Sequence, residues 1–166
     1  MKHLLVIRHA KSSWDNSIPN DFDRPLNDRG FKDAPRMAKR LHDKKISIDA
    51  FISSTAKRAF TTATFFYEEY KKGGNKTLGV IGIPELYLAE PKVFREVISE
   101  ADDSYNTIAV FAHNPGITEF VNELTNTRID EMPTCGVFAV DIETNSWKDF
   151  VHAPKSFWFF ESPKNG

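Results

Sequence analysis

His3-Leu4-Leu5-Val6-Ile7-Arg8-His9 holds four consecutive apolar residues closed by an arginine and a histidine. So short an apolar run, ended by polar residues, reads as a strand buried on both faces of a parallel sheet. Asp49 to Ser53, Leu78 to Ile83 and Thr107 to Ala112 repeat the pattern. Helical spacing falls between these strands. It runs from Asp28 to about Lys44, with Ala34, Met37, Ala38 and Leu41 on one face, Pro35 in a first turn and Asp33 able to cap. Ser54 or Thr55 can cap a second helix from Ala56 to about Lys72 that carries Phe60, Ala63, Phe66 and Tyr70 and stops at Gly73-Gly74-Asn75. Further helices run from Pro91 to Glu100 and from Pro115-Gly116 to about Leu124. Gly136 to Ile142, Trp147 to Val151 and Phe157 to Phe160 read as added strands, and Ser162 to Gly166 as a fraying tail. Strand and helix alternate, so the expected fold is α/β: three layers, α/β/α, around a mostly parallel central sheet. Ligands of such sheets gather at the carboxyl ends of the strands.

The chain has 166 residues, enough for a single domain, residues 1–166, that buries roughly 70% of its unfolded surface. Its net charge of −1 offers no field for nucleic acid or an anionic membrane, so neither partner is expected. The longest apolar runs fall far short of a membrane span, and the start does not read as a secretory signal. Cys135 is the only cysteine, which points to a reducing compartment and a cytoplasmic location. The 14 phenylalanines are assigned to the core.

Polar residues follow each strand in turn: Arg8-His9 the first, Ser53 through Arg58 the second, Glu85 the third and His113-Asn114 the fourth. Guanidinium groups give planar paired donors to phosphate oxygens, and a histidine beside them serves as nucleophile or proton donor. The residues from Lys11 to Leu26 lack periodicity and read as a long functional loop, with Ser12-Ser13 as solvated loop residues. No glycine-rich nucleotide loop occurs, and the five histidines lack metal-ligand spacing, so neither a cofactor nor a metal is expected.

Arg8-His9-Ala10 resembles the Arg-His-Gly signature of the histidine phosphatase superfamily, which includes the cofactor-dependent phosphoglycerate mutases. Leu26 through Gly30, Ser53 through Arg58 with Thr62-Ala63, and His113 through Gly116 resemble that family's later motifs, in the same order. Arg8 through Trp14, Asp23-Arg24-Pro25-Leu26 and Glu85-Leu86-Tyr87 are similar to the SixA-type phosphohistidine phosphatase branch. The resemblance implies a phosphoglycerate mutase-like fold and no metal. It implies His9 as nucleophile, with Arg8, Arg58 and His113 binding the phosphoryl group. It further implies a phosphorylated substrate such as a phosphohistidine-bearing signalling protein. Ala10 stands where the family has glycine, and Lys11 where it has glutamate. For the proton donor Glu85 is the candidate, with Asp15 and Glu119 behind it, although the SixA branch lacks a clear donor. A mutase-type phosphotransferase and a non-catalytic phosphoprotein-binding module are the alternatives.

Overall fold

The computed structural model describes residues 1–74 and 79–165. Strand β1 (Lys2–Arg8) lies between β4 (Thr107–Ala112), parallel to it, and β5 (Val137–Ile142), antiparallel. With β2 (Ala50–Ser53), β3 (Val80–Gly82) and β6 (Lys155–Glu161), the sheet has the order β3-β2-β4-β1-β5-β6. The first four of these are mutually parallel, and β5 and β6 add an antiparallel edge. Of the expected third strand, Leu78 lies outside the described residues, as does Asn75 of the expected helix stop.

The alternation of β1 side chains explains the layers. Leu4 and Val6 pack with Phe94 and Ile98 of α3 (Pro91–Ser99) and with Ile117 and Phe120 of α4 (Gly116–Leu124). Leu5 and Ile7 face the other way, onto Met37 and Leu41 of α1 (Asp28–Asp43) and Ala63 and Phe66 of α2 (Lys57–Lys72). All four β1 residues are fully buried, each worth roughly 1.5–3 kcal/mol of apolar transfer. The sheet thus carries helices on both faces, and its apolar run must be continuous.

Several local expectations give way. Pro35 lies well inside α1, because Asn27 caps the helix earlier by accepting the Gly30 N–H. Burial of Ala34, Met37, Ala38 and Leu41 outweighs the one backbone bond the proline removes. Asp33 does not cap; it is buried and bonds Arg29 and Arg36. Neither Ser54 nor Thr55 is the α2 cap residue, which is Ala56, and Phe60 is turned outward. Trp147 to Val151 is no strand. Trp147 begins a 3-10 turn, fully buried, its N–H bound to Asp103 and its indole to the Tyr105 carbonyl. The tail is tied down as far as it is described, since Arg40 holds the Ser162 carbonyl and Arg36 the Pro163 carbonyl.

Candidate active site

Strand register builds the site. Arg8 of β1 pairs with Ala112 of β4, and Ser53 of β2 with Phe111, so the three strands end side by side. The residues just beyond them, His9, His113 and Ser54, therefore meet. The His9 N–H donates to the Ala112 carbonyl, the Ser54 N–H to the Phe111 carbonyl, and the two imidazole centroids lie 5.3 Å apart. Arg58 enters from the first turn of α2.

His9 is buried, and its Nδ1 lies 2.7 Å from the Ala10 carbonyl oxygen. A carbonyl can only accept, so Nδ1 carries the proton and Nε2 keeps its lone pair. Burial above all holds the imidazolium form of His9 well below its usual range. The Ala10 bond opposes this, while the charges of His113, Arg8 and Arg58 reinforce it. His113 is pushed down to about 3, first by burial and then by Arg58, so it is neutral at pH 7. Its Nε2 pairs with Ser54 Oγ at 2.8 Å, and that same oxygen accepts the Ala56 N–H.

Ala10, which stands where the resembled family has glycine, is fully buried and has no positive φ. Its N–H donates to Thr62 Oγ1, which in turn donates to the Arg58 carbonyl, tying the end of β1 to the start of α2. Lys11 lines the cleft, so a cation stands at the rim.

Arg8 Nη1 donates to the Met132 carbonyl, and Arg58 donates from Nη1 to the Asp21 carbonyl and from Nη2 to Asp21 Oδ2. Among the described residues, Arg8 Nε, Arg58 Nε and His113 Nδ1 are buried without a hydrogen-bond partner. Buried polar atoms left unpaired are costly, and a cluster of them is the mark of a site awaiting a polar ligand. All three belong to residues of one cleft of about 280 Å³, lined also by His9, Lys11, Ser12, Trp14, Asp21, Arg24, Leu88, Asn114 and Thr134.

Of the acidic candidates, Glu85 is exposed on the 3-10 turn Pro84–Leu86 and does not line the cleft. Asp15 is exposed in the loop, and Glu119 of α4 lines a different surface hollow. The carboxylate in the cleft is Asp21, which the residue pattern alone does not single out. It accepts from Arg58, from Arg24 Nε at 3.0 Å and from the Tyr87 hydroxyl at 2.5 Å. Burial pushes its carboxyl up, but the bonds from Tyr87, Arg58 and Arg24 prevail and hold it at about 2. Its loop is the long aperiodic segment, which is the one sequence signal that could have directed attention there.

Residues 4–75 match the model of the histidine phosphatase superfamily (branch 1). Over that stretch, less than half of the chain, the sequence is similar to that superfamily. An uncharacterised chloroplastic protein of Arabidopsis thaliana is 28% identical over 155 residues, which is 89% of this chain and 70% of that protein. Among solved structures, a candidate SixA phosphohistidine phosphatase of Agrobacterium tumefaciens superposes with a TM-score of 0.81 at 22% identity over 98% of each chain. The protein histidine phosphatase SixA complexed with tungstate superposes at 0.78, with 22% identity and the same 98% coverage of both chains. At those identities the structures show a shared fold. The sheet of this chain is mixed, because β5 runs against the parallel four and pairs antiparallel with both β1 and β6.

Proposed function

We propose that this chain is a histidine phosphatase that hydrolyses phosphate from a phosphohistidine protein through a covalent intermediate on His9. One observation carries the reading: a neutral histidine whose Nδ1–H is fixed by the Ala10 carbonyl, in a cleft with unpaired donors of Arg8 and Arg58. In the first step His9 Nε2 forms a bond to phosphorus while the bond to the leaving group breaks. Arg8 and Arg58 stabilise the equatorial oxygens, desolvated donors acting where charge builds up. With the Ser54 hydroxyl donating to His113 Nε2, the proton of neutral His113 sits on Nδ1, a third donor. Water then attacks phosphorus, releasing inorganic phosphate and returning the electron pair to His9.

What lines the cleft supports this substrate class. Its carboxylate, Asp21, stays ionised down to about 2 and cannot protonate a departing alkoxide near neutral pH. A phosphorylated imidazole needs no such acid, because its second nitrogen takes a proton from water and the ring leaves neutral. That favours phosphohistidine over sugar phosphates. The tungstate complex of SixA supports an oxyanion site in the same fold. The lone Cys135 fits a reducing compartment, so we place the protein in the cytoplasm.

The test is phosphate release from phosphohistidine proteins compared with aryl and sugar phosphates, run beside His9→Ala. That variant should bind tungstate yet release no phosphate. Turnover retained in His9→Ala would refute the nucleophile, and faster release from sugar phosphates would refute the substrate class.

A further inference from the structure

Resting on the reading of this cleft as a phosphoryl site, a second role emerges for the carboxylate inside it. Asp21 reaches Arg58 twice, through its main-chain oxygen at 2.7 Å from Nη1 and through Oδ2 at 2.9 Å from Nη2. These two nitrogens form the end of the guanidinium fork, the edge that pairs with two oxygens of a carboxylate or of a phosphate alike. Asp21 therefore holds a place that a phosphoryl group would compete for, in the same cleft as His9.

We propose that Asp21 is an exchangeable stand-in for phosphate: its side chain occupies Arg58 between turnovers, yields Nη2 to the incoming phosphoryl group, and returns to displace inorganic phosphate. The surroundings suit exchange. A carboxylate torn from its only partner inside a protein would be stranded, but Asp21 keeps two others, Arg24 Nε on Oδ1 and the Tyr87 hydroxyl on Oδ2. Its side chain is also 41% exposed, so water covers what Arg58 vacates. Its main-chain oxygen can stay on Nη1 throughout, keeping the guanidinium oriented.

The charge balance supplies the reason for such a device. Arg8, Lys11, Arg24 and Arg58 line the cleft against the carboxylate of Asp21, with the exposed Glu131 carboxylate 3.8 Å from Arg8 outside the lining. Four cations would retain a phosphate dianion after the chemistry is done, and product release often limits turnover. A negative charge a few ångströms from the bound anion, at the dielectric of a half-buried site, changes its dissociation constant about tenfold or more.

Asp21→Asn keeps the size and the acceptor oxygen while removing the charge. Tungstate and inorganic phosphate should bind it about tenfold or more tightly than they bind wild type, and kcat and KM should both fall. Asp21→Glu, which keeps the charge, should bind both oxyanions more weakly than Asp21→Asn does. A carboxylate that served only as a strut for Arg58 would give the opposite result, since its loss would weaken oxyanion binding; weaker or unchanged binding in Asp21→Asn overturns the proposal. Wild type with tungstate gives an independent check on unmutated protein. A crystal structure should show a tungstate oxygen on Arg58 Nη2 and Asp21 Oδ2 out of hydrogen-bond range; an intact pair beside bound tungstate overturns the exchange. Arg58→Ala separates the two readings. Tungstate binding that survives this variant undiminished overturns the phosphoryl-site reading itself, whereas Arg58-dependent binding that Asp21→Asn leaves unchanged overturns only the exchange.

Discussion

The floor of the cleft and its rim are built by opposite means. The floor consists of His9, His113 and Arg58, exposed by only 5%, 1% and 3%, and set by strand register and the first turn of a helix. The rim comes from the loop between β1 and α1, where Trp14 is 73% exposed and lies over the Arg24 guanidinium. That loop is latched by one bridge, Ser12 to Leu26, and by the polar ties of Asp21 and Arg24. The groups proposed to do chemistry are dried and fixed by backbone, while the rim stays wetter and is held by side chains. Mutations in the two regions should therefore fail differently.

The largest effect is expected on the floor. Arg58→Ala should lower kcat/KM on the order of 10²-fold or more, as for other preorganised donors, in a steady-state phosphate-release assay. A near-wild-type rate would move Arg58 from the floor to the rim in function. Next comes Gly116, at the start of α4, where an added Cβ would lie 1.7 Å from the Ala89 carbonyl oxygen. That contact is with rigid backbone, so Gly116→Ala should cost about 1–3 kcal/mol in denaturant unfolding.

A subtler contrast lies in titration. In the folded protein His113 takes its proton only near pH 3, while in the unfolded chain it does so near 6.5. The unfolded state thus binds the proton first, and stability, full above about 6.5, falls as the pH drops towards 3. The slope should approach 1.4 kcal/mol per pH unit, roughly, for this one group, with His9 adding in the same direction. His113→Gln should remove its share of that slope in unfolding curves collected from pH 7 to pH 4. Asp21, held at about 2 in the folded protein against about 3.9 unfolded, adds its own slope only below about pH 5, so between pH 7 and about 5 the rim stays silent where the floor titrates.

The floor was legible in the sequence because its signals are local. An apolar run ends where a strand ends, and the next polar residue is at the carboxyl edge of the sheet. His9, His113 and Arg58 were found that way, and the structure brings all three together. Glu85 follows a strand end just as closely, but the turn Pro84–Leu86 buries Leu86 and leaves the glutamate outside. Tyr87, two residues on, is the one that reaches Asp21. That pair spans 66 residues and Asp21 to Arg58 spans 37, and nothing in local spacing announces either. Trp147 misleads for the same reason. The segment it opens, closed by Phe150 and Val151, suggests a strand, while its partners Asp103 and Tyr105 lie more than forty residues back.

Cys135 sits directly beneath His9. With φ at 59°, it turns its N–H to the carbonyls of both Arg8 and His9, each at 3.0 Å. Its thiol is fully buried, and that burial pushes its ionisation far above the usual range, so the folded protein gives an alkylating reagent no thiolate to attack. The rate at which this sulfur becomes labelled is then a clock for how often the backbone under His9 comes apart, and the chain carries that clock without any engineered probe.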